Sequence, residues 1–129
     1  MTLATFQARE MNKTEAAYSR ELFNMQKVGL IKWYEYECVK FRLADKTWYT
    51  PDFLVVDAED RLEAVEIKAH WQGVNRAGWL DDARVKVKVA AEMFPLKFRA
   101  AVLMPDGSWQ FENFGDFEDP GAEWQAKLK

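Results

Sequence analysis

The stretch from Trp48 to Ala69 constrains this chain more than any other. From Leu62 to Ala69, Val65 and Ile67 alternate with Glu66 and Lys68, the period of a β-strand with one apolar and one charged face. Trp48 to Asp57 is a second β-rich run, and only the polar turn Ala58-Glu59-Asp60-Arg61 separates the two. Pro51 lacks a backbone donor, so it belongs at a strand start or an edge. Two such strands must pair as neighbours, and their apolar side needs a cover.

The flanking sequence supplies that cover. Asn12 to Val28 reads as a helix that ends near Gly29, with Ala16, Ala17, Phe23 and Val28 as its apolar positions. Lys32 to Leu43 reads as one strand, in which Val39, Phe41 and Leu43 alternate with Lys40 and Arg42, and Ala44-Asp45-Lys46 is the turn after it. Leu80, Ala83, Val87, Ala90 and Phe94 recur at helical steps up to Pro95. Phe98 to Met104 and Ser108 to Phe114 are the last strands, joined by a Pro-Asp-Gly turn. The order helix, three strands, helix, strand, extra strand predicts an α/β sandwich around a mixed central sheet flanked by helices.

Composition narrows the class. At 129 residues, 49% apolar and 30% charged, the chain suits one domain over 1–129 with a substantial core. The core is expected over about 12–104, with an extra strand and a weakly ordered acidic tail over 105–129. No apolar run approaches bilayer length, so no membrane partner is expected. The opening residues carry neither a basic flank nor an apolar block, and the single cysteine, Cys38, makes no internal disulfide; a reducing, cytoplasmic location is the expectation. The net charge of −3 owes much to six acids against two lysines over 105–129, so the body is near neutral. Cation binding by some of its carboxylates would leave the remaining surface locally basic.

Asp52 opens one strand of the pair and Glu66 lies on the next, so a hairpin-like pairing brings the two carboxylates together, with Lys68 on the face of Glu66. Converging carboxylates repel unless a cation lies between them, and hard oxygen donors with room for water suit Mg²⁺ or Mn²⁺. An ion there polarises a phosphodiester and acidifies a bound water, while the neighbouring ammonium steadies developing negative charge. The bland counterpart is Asp52 capping a turn and Glu66 with Lys68 forming a cross-strand ion pair.

Tyr49-Thr50-Pro51-Asp52-Phe53 followed by Val65-Glu66-Ile67-Lys68 resembles the PD-(D/E)xK nuclease superfamily. The Asn-Lys-Thr-Glu helix start and the Asp-Asp-Ala-Arg-Val-Lys helix make it similar to a small phage-borne branch, the phage-type Holliday-junction resolvases, over about Asn12 to Met104. The resemblance implies a restriction-endonuclease-like α-β-β-β-α-β core. It implies Asp52 and Glu66 as metal ligands, Ile67 lending its backbone carbonyl, Lys68 as catalytic lysine and Glu15 as a helix-borne acid. Asn12-x-x-Glu15 is equally a capping box. The implied activity is a Mg²⁺-dependent DNA endonuclease in phage recombination or replication. It would cut branched DNA as a homodimer in a bacterial host.

Lys40, Arg42, His70, Arg76, Arg84, Lys86 and Lys88 are the candidate DNA contacts, weighed against their ordinary role as solvated charges. Trp71 and Trp79 flank the loop bearing Arg76 and are candidates for stacking. The rival readings are a restriction-like or repair nuclease, a non-catalytic nucleic-acid-binding or phage assembly module that keeps the fold, and a protein-binding role for the Trp-rich surface.

Overall fold

The computed structural model describes residues 10–70 and 81–115. Asn12 caps the first helix, α1 (Lys13–Lys27), through a complete capping box: its side chain accepts from the Glu15 amide at 2.8 Å, and Glu15 Oε1 accepts from the Asn12 amide at 2.9 Å. Gly29, at φ +84°, takes the left-handed conformation that ends the helix. The row facing the sheet is Glu15, Tyr18 and Leu22. Phe23, one step round the helix from Leu22, is exposed, and so is Val28, which caps the helix beyond its last turn.

The two long β-runs of the sequence each break in two. Lys32 to Leu43 is not one strand but β1 (Ile31–Tyr36) and β2 (Phe41–Ala44), parted where Glu37 adopts φ +46°. Trp48 to Asp57 becomes β3 (Thr47–Tyr49) and β4 (Phe53–Asp57), parted at Pro51. β2 and β3 form a separate antiparallel hairpin whose turn places Lys46 at φ +56°. It is an insertion between β1 and β4, which pair antiparallel with Tyr36 opposite Phe53.

β5 (Leu62–Ala69) pairs antiparallel with β4, and after α2 (Asp81–Met93) the chain returns as β6 (Lys97–Leu103), parallel to β5. β7 (Trp109–Phe114) closes the far edge, giving the order β1-β4-β5-β6-β7. Alternation along the central strands sends Val65, Ile67 and Ala101 to the α1 side with Tyr18, Leu22 and Phe53. Ala64, Ala100 and Val102 go to the other side, with Val87, Ala90 and Ala91 of α2 and with Phe41 and Tyr49 of the hairpin. The expected mixed sheet with helical cover is therefore present, with a core on each face. Among the described residues, no helix is long and apolar enough to cross a membrane. The acidic tail after Gly115 lies outside the described residues.

The β4–β5 turn is organised by one carboxylate. Asp57 accepts from the amides of Glu59 and Arg61 at 2.8 and 2.9 Å and from Arg61 Nε at 2.8 Å. Partial burial pushes its pKa up, but these donors outweigh that and hold it below the usual aspartate value. Asp57→Ala should lower stability by about 1–2 kcal/mol near neutral pH. A carboxyl group with a depressed native pKa stabilises above its unfolded pKa and loses that effect as pH falls through the native one. The gap between variant and parent in a thermal melt should therefore close in strong acid.

Candidate active site

β5 outruns β4. The β4–β5 register ends with Phe53 opposite Val65, while β5 continues to Ala69, so the sheet has a notch beside Ile67 where β4 has not yet begun. A buried amide in mid-sheet needs an acceptor. Asp52 provides it: Oδ2 accepts from the Ile67 amide at 2.7 Å, and the Asp52 carbonyl accepts from the Glu37 amide at 2.9 Å. One further step of the same register sets Asp52 opposite Glu66, the neighbouring relation expected from the sequence. Within a strand, a residue's C=O and N–H leave on the same side, so the Ile67 carbonyl also faces the notch.

The other acids reach the notch from the two faces of the sheet. Glu15, 3% exposed, comes from the first turn of α1; its Oε1 accepts from Tyr36 Oη at 2.9 Å as well as from the Asn12 amide. Glu66 stands on the α2 side, its Oε1 accepting from Tyr49 Oη at 3.1 Å and its Oε2 lying 3.5 Å from Lys68 Nζ. Glu15 is thus held twice: the same oxygen that closes the helix cap is locked by a tyrosine of β1.

Electrostatics separates this cluster from a set of ordinary ion pairs. Burial pushes the Asp52 carboxyl up to about 8; the Glu66 charge adds to that, the Ile67 amide opposes it, and Glu15 raises it again. Glu66 is also raised, chiefly by burial, despite the counteracting Lys68 ammonium and Tyr49 hydroxyl. Tyr49 is driven well above the ordinary phenol value, first by burial and then by Glu66, so it stays a proton donor to that carboxylate. These acids sit where negative charge is costly, and a cation beside them would reverse that cost. Among the described residues, no three His, Cys, Asp or Glu side chains form a ready metal cage. Mg²⁺ characteristically uses one or two carboxylates and keeps several waters, and Asp52 and Glu66 with the Ile67 carbonyl suit that demand.

The candidate DNA contacts are scattered by comparison. Lys40 and Arg42 lie on or beside β2 and are exposed. His70 follows β5, its amide bound to the Leu103 carbonyl at 2.9 Å, and its buried Nδ1 meets no partner among the described residues. On α2, Lys88 is exposed and Lys86 half-buried. Arg84 is not presented to solvent as expected: it forms a two-pronged ion pair with Glu112 of β7, one arm at 2.8 Å, and lies over the Phe114 ring. Arg76, with Trp71 and Trp79, lies outside the described residues. Sequence reasoning passes over Tyr36 and Tyr49 as site residues. Tyr49 belongs to the Tyr-Thr-Pro-Asp-Phe run, but its role depends on the hairpin folding back over β5.

Asp52 provides both a hydrogen bond and a destabilising charge, and two variants separate these. In Asp52→Asn the amide oxygen still accepts from Ile67 while the charge is gone; in Asp52→Ala the buried amide loses its acceptor, at about 1–3 kcal/mol. A group whose native pKa is raised favours folding below its unfolded pKa and loses that contribution as pH rises through the native value. Without divalent metal, Asp52→Asn should melt above the parent, by a margin that widens from pH 5 to pH 9. Asp52→Ala should melt below Asp52→Asn throughout.

No family model and no curated protein matches this chain. Among solved structures it is similar to the crystal structure of SSO0001, with a TM-score of 0.45 and 14% identity over 88% of this chain; it spans 58% of that protein.

Proposed function

We propose that the chain is a Mg²⁺-dependent (or Mn²⁺-dependent) DNA endonuclease with a restriction-endonuclease-like core. The observation that carries this reading is the gathering of Asp52, Glu66 and Lys68 at the notch, with both carboxyl groups raised by burial and Glu66 held between Tyr49 and Lys68. The order α1, β1, β4, β5, α2, β6, with β6 parallel to β5, is the arrangement the nuclease resemblance implies; the hairpin and β7 are additions to it. One buried and one half-buried acid, both kept at an electrostatic cost beside an ammonium, favour this reading over a non-catalytic module.

A divalent ion held by Asp52, Glu66 and the Ile67 carbonyl would polarise the scissile phosphate and supply hydroxide at neutral pH. The protein's own groups do the rest. Asp52 is fixed by the Ile67 amide and Glu66 by Tyr49, so neither carboxylate must reorganise when substrate arrives. Lys68 places positive charge beside Glu66, where it steadies the charge that builds on the attacked phosphate. Glu15, held by Tyr36 and the helix cap, orients water from the α1 side. Preference for branched DNA and action as a homodimer on phage recombination or replication intermediates follow from the resemblance of the sequence.

Four-way junction, flap, linear duplex and single-stranded DNA incubated with Mg²⁺ or with chelator test the reading. Cleavage should require the metal and favour the junction. Asp52→Asn and Glu66→Gln should abolish it with folding retained, and Lys68→Ala should slow turnover about 100-fold or more. Glu15→Gln keeps an acceptor for the cap and for Tyr36, so its melting temperature should hold while cleavage falls. Undiminished cutting by Asp52→Asn or Glu66→Gln overturns the assignment.

A further inference from the structure

The inserted hairpin has two chemically different sides. Phe41 and Tyr49 point inward: the Phe41 ring lies 4.8 Å from Phe94 and 5.3 Å from Phe98, and Tyr49 bonds Glu66. The alternate residues, Arg42 and Trp48, face each other across the ladder and are exposed, Trp48 by 45%. Lys40 Nζ stands 5.9 Å from the centroid of the Trp48 ring. Arg42 reaches Asp45 only at 4.0 Å, with both side chains largely in water, so that contact neutralises little. Tryptophan is among the more buried residue types, yet this indole is left about half exposed beside Lys40 and across the ladder from Arg42, on a ribbon whose other side is anchored in the core.

A ligand that suits this surface needs a flat π-face for the indole and negative charge for the cations, and a nucleotide with its base unstacked has both. Paired duplex presents phosphates but keeps its base faces inside the stack. An acidic protein segment answers the cations and leaves the indole without a stacking partner. We propose that the outer side of the β2–β3 hairpin, Trp48 with Lys40 and Arg42, binds an unpaired nucleotide of a DNA strand. This rests on the nuclease reading for the strand's identity as substrate. Trp48 is adjacent in sequence to the tyrosine that holds Glu66, on the opposite side of the same ribbon. Such a site favours DNA with unpaired nucleotides near the cut.

Binding is best read without cleavage, in the full chain carrying Asp52→Asn, by fluorescence anisotropy of labelled oligothymidine and of a blunt, fully paired duplex. Adding Trp48→Ala should weaken oligothymidine binding about tenfold and leave duplex binding within about twofold; Trp48→Phe should restore most of the loss. Lys40→Ala with Arg42→Ala should weaken both ligands and flatten the salt dependence for single strand by about 1.4 in log–log slope. Oligothymidine binding unchanged by Trp48→Ala, or an equal loss on both ligands, overturns the proposal, as does a changed sedimentation mass for Trp48→Ala, which would make the surface a contact between copies. The two readings fail separately. Selective loss in Trp48→Ala alongside cleavage that persists in Asp52→Asn sinks the nuclease and spares the hairpin site, and the reverse pattern sinks the hairpin site alone.

Discussion

A central strand cannot leave a buried amide without an acceptor, and the Asp52–Ile67 hydrogen bond is how this sheet meets that requirement where β4 falls short of β5. The solution places a carboxylate, 8% exposed, almost in the plane of the sheet. Everything notable about the site follows from that position. Glu66, one residue beyond the last β4–β5 pair, raises the pKa of Asp52, and Glu15 adds a third acid from the helix start. The fold thus holds negative charge where water solvates it poorly, and the pKa values of Asp52 and Glu66 rise in response.

The site draws on both faces of the sheet, which explains why its supporting groups are dispersed in sequence. From the α1 side, the capping box and Tyr36 immobilise Glu15. From the α2 side, the hairpin turns out of the sheet at Glu37, packs Phe41 into the α2 core, and lowers Tyr49 onto Glu66. Pro51 then returns the chain to the sheet at β4. The insertion is therefore more than a surface ornament: its inner side fixes an acid, and its outer side carries an exposed indole with Lys40 beside it.

Local pattern makes much of this legible. The alternation of Val65 and Ile67 with Glu66 and Lys68 sets the faces of β5, and the short polar turn after Asp57 sets its antiparallel partner, so the approach of Asp52 to Glu66 can be read from the order of the residues alone. The breaks in the two long β-runs are hidden because strand-forming composition runs straight through them; only the backbone of Glu37, left-handed at a residue type that gives no warning, marks the exit. Tyr49 and Tyr36 escape notice for a different reason. Their hydroxyls matter through contacts 17 and 21 residues away in sequence, which no periodicity encodes. Arg84 reads in the sequence as an outward cation of α2, and its actual partner Glu112, which β7 delivers from 28 residues on, is invisible there.

The central claim is that the paired acids keep a proton until a divalent cation replaces it. Calorimetric titration of Mg²⁺ into the intact protein near pH 7, repeated in buffers of different ionisation enthalpy, measures both the binding and the protons released. The account predicts saturable binding with proton release that diminishes above pH 9, and loss of both in Asp52→Asn. Absence of Mg²⁺ binding, or binding with no proton released at pH 7, would contradict it.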